Sequence, residues 1–286
     1  MAQHATRLAF PVIGKLPVAE VDTALVLRVL QPIWTTKTET AARVRMRIEH
    51  ILSWATVQGY RTGDNPARWD KHLDNLLPPQ AKVAPVKHHA ALPYDELPAF
   101  MTTLRTQESV AAKALEFVVL TAARSGEVIH ARWEEIDAAE KLWTVPAARM
   151  KGAKEHRVPL SDRAWAILEN MKTIRQGDYI FPGQRHRRPL GANALMVSLR
   201  SMGRADLTAH GFRSSFRDWC AERTNFPSEV AEMALAHAVG NKVEAAYRRG
   251  DLSEKRRRLM DQWAEFCNAA PAADADVIPM RGRGGE

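Results

Sequence analysis

Cysteine, long apolar stretches and glycine-rich loops are scarce in this sequence. Its 286 residues include only two cysteines, Cys220 and Cys267, so neither a disulfide framework nor a cysteine-based zinc site is expected. No stretch approaches the roughly 18 apolar residues that a membrane-spanning helix needs, and the first residues lack the apolar segment of a signal peptide. No internal repeat and no nucleotide-binding glycine loop is evident. These absences predict a soluble, cytoplasmic protein without a metal or an organic cofactor.

Basic residues are in excess. Lys and Arg number 41 against 33 Asp and Glu, which gives a formal net charge of +8. Much of the excess lies in three clusters, at residues 185–188, 248–249 and 255–258. Clustered basic residues of this kind suggest a polyanionic partner. With 45% hydrophobic residues, the chain can also build hydrophobic cores, and its length suffices for two domains.

Apolar periodicity and turn signals predict the domain organisation. Residues 1–77 are expected to form a small helical domain, residues 78–91 a linker, residues 92–268 a larger domain and residues 269–286 a disordered tail. In the small domain, apolar residues at a spacing of three and four predict helices over Val21–Leu30 and Thr38–Gln58.

The larger domain combines helical and strand-like segments. Predicted helices cover Asp95–Thr103, Ser109–Leu120, Ser125–Trp133, Asp162–Thr173, Asn193–Met202 and Ser253–Phe266. Three strand candidates lie at residues 135–137, 142–146 and 156–160. The predicted fold is therefore mainly α, with an α+β second domain that contains a small three-stranded antiparallel sheet.

One stretch in the C-terminal third combines polar groups that a plain hydrophobic core does not need. His210 and Arg213 are three residues apart, so on a helix they share one face, and Thr208 is a candidate cap at the helix start. An anion is stabilised at such a helix N-terminus. His237 interrupts an apolar run, and Tyr247 follows a turn that Gly and Asn mark.

Further candidate residues lie upstream. Arg124 follows the apolar residues 117–120, where an unpaired guanidinium is costly, so it is expected to meet an anion, to pair with Glu127, or both. Lys151 and Lys154 lie in a predicted turn between the second and third strand candidates. The turn itself leaves open which of the two lysines is functional.

Together these residues resemble the motifs of the tyrosine recombinases, the phage integrase family. The spacing from His210 and Arg213 to His237, and then to Tyr247 ten residues later, is similar to the second motif of that family. Residues Thr121–Glu127 resemble its first arginine motif, T-G-x-R-x-x-E.

The resemblance covers roughly residues 10–267. The phrases FPVIGKLPVAEV, HHAALPYDELPAF and HAVGNKVEAAYRR place the chain near prophage and genomic-island integrases. Lys151 occupies the position of the family's β-turn lysine, which favours it over Lys154.

The resemblance implies a role for each site residue. It implies that Tyr247 is the nucleophile that forms a 3′-phosphotyrosine and that Arg124 and Arg213 bind the scissile phosphate. It implies that Lys151 is the general acid for the 5′-oxygen and that His210 is a general acid or base near the tyrosine. His237 would be a hydrogen-bonding partner of the phosphate, and Glu127 would orient the site. Transesterification conserves the energy of the phosphodiester bond, so neither ATP nor a metal ion is expected.

The resemblance also implies partners. These are the double-stranded DNA of an attachment-site core, accessory DNA-bending proteins and further copies of the chain, with a monomer expected without DNA and a homotetramer on paired sites in a bacterial nucleoid. Candidate DNA contacts are Arg43, Arg47, Lys154 and Arg248; for the first two, a solvated helix face is the alternative. The C-terminal helix, Ser253–Phe266, is expected to dock on a neighbouring protomer, and packing on its own domain is the alternative.

Two features that the family usually has ahead of FPVIGKLPV are not found: an arm-type DNA-binding domain and an additional core-binding helix. We therefore expect an N-terminally truncated integrase with part of the helical (SAM-like) core-binding domain. The expected function is site-specific DNA recombination for the integration or excision of a mobile element. The alternatives are a type IB topoisomerase, which shares the tyrosine chemistry, and a non-catalytic DNA-binding regulator of an intact integrase.

Overall fold

The computed structural model describes residues 7–83, 91–237 and 250–270. The chain divides into two compact units, Met1–His88 and His89–Glu286, and each unit has its own hydrophobic core. In the part of the chain that the structure describes, no helix is both long and apolar enough to cross a membrane.

The first unit is helical. Its helices are α1 (Phe10–Ile13), α2 (Thr23–Trp34), α3 (Thr38–Val57) and α4 (Gln80–Val83), with short 3₁₀ helices at Val18–Glu20 and Leu73–Asn75. Helices α2 and α3 pack against each other through apolar residues at three- and four-residue spacing, among them Leu30 and Leu52, which are both almost fully buried.

Helix α2 continues four residues beyond the predicted end at Leu30, although it contains Pro32. An interior proline costs a helix about 3 kcal/mol. However, Ile33 and Trp34 are buried, and Trp34 Nε1 donates a hydrogen bond to the Pro78 carbonyl at 2.9 Å. Burying side chains of this size stabilises by about 2–3 kcal/mol each, so tertiary packing offsets the cost of the proline.

The second unit combines helices with a three-stranded antiparallel sheet, so the predicted mainly α fold is confirmed. Its elements are α5 (Leu97–Arg105), α6 (Val110–Thr121), α7 (Ser125–Ile129), β1 (Ile136–Asp137), β2 (Leu142–Val145), β3 (His156–Pro159), α8 (Asp162–Lys172), α9 (Ala194–Ser201), α10 (Gly211–Arg223), α11 (Ser228–Ala234) and α12 (Ser253–Asn268), with 3₁₀ helices at Tyr94–Glu96, Trp133–Glu135 and Ala147–Arg149. The sheet order is β1-β2-β3, and Trp143 at its centre pairs with Ile136 on one side and Val158 on the other.

Helix α6 runs through the core of this unit. All residues from Ala114 to Thr121 are buried. They include Glu116, which accepts hydrogen bonds from Arg105 at 2.7 Å and Arg163 at 2.8 Å. These two arginines supply the opposite charge that a buried carboxylate requires. The helix ends at Ala122, whose φ of 49° is left-handed. The end of α6 is therefore rigidly placed.

Helix α7 ends at Ile129, before the predicted end at Trp133. Beyond it the backbone pairs with a distant segment: Trp133 N donates to the Asp178 carbonyl at 3.0 Å, and Ile180 N donates to the Ala131 carbonyl at 2.9 Å. These long-range hydrogen bonds take the place of further helical ones.

The C-terminal helix α12 packs on its own unit, which was the alternative to the expected docking on a neighbour. Leu259, Met260 and Trp263 are buried, and Trp263 Nε1 donates to the Val119 carbonyl of α6 at 2.8 Å. The apolar face that suggested docking on a second protomer is thus used inside the second unit.

Helix α12 is also fixed to the sheet. Arg256 is buried, and it donates to the Arg157 carbonyl on β3 at 2.7 Å and to the Asp251 carboxylate at 2.8 Å. The neighbouring His156 is buried on β3. Burial, and then the positive charge of Arg256, lower the pKa of His156 to about 4. At neutral pH this imidazole is therefore uncharged.

We predict that His156 makes the protein sensitive to mild acid. Because its pKa is about 4 in the folded chain, against 6.5 for an unperturbed histidine, the unfolded chain binds more protons between these pH values. The stabilisation that comes from keeping His156 neutral is therefore fully present above pH 6.5. It is lost as the pH drops toward 4, by an amount on the order of 3 kcal/mol. Urea denaturation at several pH values measures this slope.

The matched variant is His156→Gln, which cannot take up the proton. Its free energy of unfolding is expected to change less steeply between pH 6.5 and 4 than that of the wild type, whatever its stability at pH 7. Parallel pH profiles for the two proteins would contradict the assignment.

Candidate active site

Arg124 lies at the junction of α6 and α7, where it is the N-cap residue of α7. Its backbone N–H donates to Glu127 Oε2 at 3.0 Å, and its guanidinium donates to Glu127 Oε1 at 2.7 Å. The same guanidinium donates to the Ala236 carbonyl at 3.2 Å. Glu127 is buried, so its carboxylate holds Arg124 in one orientation.

Arg213 enters the same place from the first turn of α10. Its guanidinium donates to the Ala122 carbonyl, to the Leu235 carbonyl at 2.6 Å and to His237 Nε2 at 3.1 Å. Among the described residues these acceptors are all uncharged. Two are backbone carbonyls, and Nε2 has a lone pair for accepting only when the imidazole is neutral. Burial, and then the charge of Arg124, lower the pKa of Arg213 to about 10. A buried cation, Arg213, thus lies close to a second one, Arg124, that is partly exposed.

Two alanines aim the carbonyls that hold these arginines. Ala122 and Ala236 have φ values of 49° and 51°, in the left-handed region that costs a residue with a Cβ roughly 1 kcal/mol or more. The Ala122 carbonyl accepts from Arg213, and the Ala236 carbonyl accepts from Arg124. The hydrogen bonds therefore cross between the two motif segments and lock them together.

His237 follows α11 and has a carboxylate partner. Its Nδ1 lies 2.7 Å from Glu232 Oε2, and Glu232 also accepts from Arg217 Nε. Burial acts to raise the pKa of Glu232, but the hydrogen bonds from His237 and Arg217 outweigh it and lower that pKa below its usual value. The ionised carboxylate can only accept, so the imidazole proton lies on Nδ1 and Nε2 is free to accept from Arg213.

His210 lies at the start of α10 rather than within it. It is the exposed N-cap residue, and its carbonyl accepts from Arg213 N at 3.1 Å. Thr208 Oγ1 accepts from Gly211 N at 3.0 Å, so the threonine does bond the start of the helix, as the sequence suggests.

Lys151 and Lys154 are exposed in the turn between β2 and β3. The base of this turn is fixed by Arg149, which donates to the carboxylate of Glu135 and to the backbone carbonyl of Glu127. Because Glu127 also holds Arg124, the lysine turn and the arginine cluster are attached to the same residue.

Tyr247 and Arg248 lie outside the described residues. Arg43 is exposed on α3 and forms an ion pair with Glu39 at 2.6 Å, and Arg47 is half-buried on the same helix.

Four residues that support the cluster were missed in the sequence: Glu135, Arg149, Arg217 and Glu232. Arg217 lies one helical turn after Arg213, which is a signal that could have been used. Glu135 and Arg149 act across longer distances in the sequence, whereas Glu232 lies only five residues before His237. Across residues 7–83, 91–237 and 250–270, no group of three His, Cys, Asp or Glu side chains could hold a metal ion.

Comparison with known proteins identifies the family. Residues 91–254 match the phage integrase family, and residues 1–72 match the phage integrase central domain. The chain belongs to the phage integrase family. The arginine cluster of this chain lies entirely within the larger match.

Curated relatives agree with this assignment. The prophage integrase IntA of Escherichia coli K12 is 34% identical over 267 residues, which are 91% of this chain and 62% of that protein. The integrase of Shigella phage Sf6 is 29% identical over 280 residues, which are 92% of this chain and 70% of that protein. The integrase chain thus spans less than two thirds of the length of IntA.

Solved structures share the fold. A lambda integrase dimer bound to a COC′ core site has a TM-score of 0.61 at 17% identity, over 87% of this chain and 89% of that chain. The Tn1549 transposon integrase in complex with circular intermediate DNA has a TM-score of 0.61 at 13% identity, over 90% and 91%. At these identities the likeness establishes the architecture.

We predict that Ala122→Gly leaves the stability of this integrase within about 1 kcal/mol of the wild type, because relief of the left-handed strain offsets the lost methyl group and the more flexible unfolded chain. The matched control is Ala131→Gly. Ala131 is equally buried but is not among the residues with positive φ, so its replacement is expected to cost about 1.5 kcal/mol. Urea denaturation measures both, and equal losses would show that the Ala122 backbone is not strained.

Proposed function

We propose that this integrase is a site-specific recombinase that cleaves and rejoins double-stranded DNA through a 3′-phosphotyrosine at Tyr247, and so integrates or excises a mobile element. The observation that carries the proposal is the position of Arg213. Its buried guanidinium has only uncharged acceptors among the described residues and lies beside a second guanidinium, that of Arg124. Buried charges are normally paired with an opposite charge, so this pair is suited to an anion.

A phosphodiester fits this pair in both charge and shape. Two planar guanidinium groups can each donate to a non-bridging oxygen. In phosphoryl transfer the transition state gains negative charge on these oxygens, and loss of one such donor typically costs about 3–4 kcal/mol. Arg124 and Arg213 are held by hydrogen bonds before DNA arrives, so little reorganisation is needed.

The other groups supply proton transfer. A free tyrosine phenol has a pKa of about 10, so its attack on phosphorus at neutral pH needs a base, and His210 at the exposed start of α10 is the candidate. Lys151, in the turn attached to Glu127, protonates the 5′-oxygen as it leaves. His237 contacts Arg213, so it acts on the same phosphate through that guanidinium.

Neither a metal ion nor ATP enters this scheme. The phosphotyrosine bond conserves the energy of the broken phosphodiester bond. Attack by the 5′-hydroxyl of a second strand then forms a new phosphodiester bond and releases the tyrosine. The charge stabilisation that a metal ion supplies in other phosphoryl transfers is assigned here to the two arginines and the lysine.

The proposed partners are double-stranded DNA and further copies of the chain. A similar fold, that of lambda integrase, has been solved as a tetramer bound to a Holliday junction. By analogy we propose a tetramer on two paired sites in the bacterial cytoplasm, with Arg43, Arg47, Lys154 and Arg248 near DNA phosphates. Accessory DNA-bending proteins are proposed from the family resemblance of the sequence alone.

We predict that the protein forms a covalent adduct with DNA. The substrate is a pool of duplexes with randomised sequence and a single nick, because a nick lets the short 5′-hydroxyl fragment diffuse away and traps the phosphotyrosine. Adduct should form in EDTA and without ATP, be recovered after denaturation in SDS, and join the protein to the 3′ end of the cleaved strand. Arg213→Gln is expected to slow it by about 10²- to 10³-fold.

Tyr247→Phe is the matched control, since it removes only the nucleophilic oxygen. Loss of the adduct in this variant with unchanged DNA binding supports the proposal. Binding by the wild type without any adduct would instead indicate a non-catalytic regulator. Sequencing of the captured DNA then separates a recombinase from a topoisomerase, because a topoisomerase does not require one site.

A further inference from the structure

Glu232 and Arg217 extend a series of side-chain contacts that starts at Arg213, passes through His237 and returns to the helix of Arg213. Arg213 and Arg217 lie one turn apart on α10, and Glu232 lies on α11. The contacts run from Arg213 Nη2 to His237 Nε2 at 3.1 Å, from His237 Nδ1 to Glu232 Oε2 at 2.7 Å, and from Glu232 Oε1 to Arg217 Nε. The α10 backbone closes these contacts into a ring.

We propose that Glu232 is a positioning residue: it fixes His237 in the Nδ1–H form, so that the Nε2 lone pair of His237 holds the Arg213 guanidinium toward the scissile phosphate. Arg217 in turn holds Glu232. This inference rests on the proposed function, because it assigns Glu232 a role in the same reaction.

The chemistry of the three groups requires this direction of hydrogen bonding. A carboxylate only accepts and a guanidinium only donates. The imidazole between them must therefore donate from Nδ1 to Glu232 and accept at Nε2 from Arg213. The backbone adds a further restraint, since His237 N donates to the Glu232 carbonyl at 2.9 Å. The ring nitrogens of His237 are thus assigned by their neighbours on both sides.

The exposure of these groups argues against a purely structural role. The side chains of His237 and Arg217 are each 44% exposed, and that of Glu232 is 23% exposed. Ion pairs with this much access to water contribute little to stability. Their effect on orientation is expected to be larger, by analogy with the partners of metal-ligating histidines, whose removal typically changes metal affinity or activity by about 10- to 100-fold.

The first test is spectroscopic and needs no DNA. In ¹⁵N-labelled protein, two-dimensional spectra of the imidazole nitrogens report which nitrogen of each histidine has the proton, and His237→Ala identifies the His237 signals. We expect the Nδ1–H form for His237 in the wild type and its loss in Glu232→Ala. An unchanged form in Glu232→Ala would overturn the proposal, even if the protein is an active recombinase.

The second test is a double-mutant cycle on the rate of adduct formation with the nicked duplex. Glu232→Ala is expected to reduce the rate by about 10- to 100-fold, and Glu232→Gln less, because its amide oxygen can still accept from Nδ1–H. In a His237→Ala background, Glu232→Ala should have no further effect. An equal reduction in both backgrounds would show that Glu232 does not act through His237.

Asp218→Ala is the matched control. It removes one exposed acid from α10 next to Arg217, so it tests the change in net charge alone, and wild-type rates are expected. If the wild type forms no adduct, the proposed function fails, whereas the histidine spectra still decide whether Glu232 sets the form of His237. The two failures are therefore distinguishable.

Discussion

The constraint on which the second unit depends is the burial of the Arg213 guanidinium next to that of Arg124. Desolvation and repulsion both act against two charges in this position, and they lower the pKa of Arg213 to about 10, yet the group stays cationic at neutral pH. The protein stabilises it with backbone carbonyls from the ends of α6 and α11. A carboxylate on Arg213 would give a stronger bond, but it would also compete with a phosphate.

Among the described residues, the acids near the cluster form no ion pair with Arg213, although Glu127 pairs with Arg124. Glu127 bonds one edge of Arg124 and the backbone beside it, and Glu232 bonds Arg217 and the far side of His237. Each carboxylate orients a neighbour of Arg213, and the described contacts of Arg213 itself remain uncharged. The strain at Ala122 and Ala236 follows from the need for uncharged acceptors. In the left-handed conformation, the carbonyl of each alanine points toward a guanidinium, and a regular helix end would leave that guanidinium without this bond.

The sequence predicted those parts of the fold that local patterns determine. The three strands and most helices were recognised because alternation and three-four spacing are set by which face of each element is buried. Two errors share one cause. The extension of α2 past Pro32 and the early end of α7 both depend on long-range contacts, such as the bond from Trp34 to the Pro78 carbonyl. For the cluster, spacing linked Arg124 to Glu127, but nothing local linked Glu232 to Arg217.

The lysine turn combines an exposed tip with a base that is held by hydrogen bonds. Residues 151–155 are exposed, whereas the base of the turn is fixed by Arg149, between the Glu135 carboxylate and the Glu127 carbonyl. In the proposed reaction, Lys151 has to approach an oxygen that becomes basic only as its bond to phosphorus breaks, and the exposed tip is open to such an approach. Arg149 bonds the backbone carbonyl of Glu127, whereas Arg124 bonds its carboxylate. A single buried glutamate thus connects the base of the lysine turn to Arg124 through different atoms.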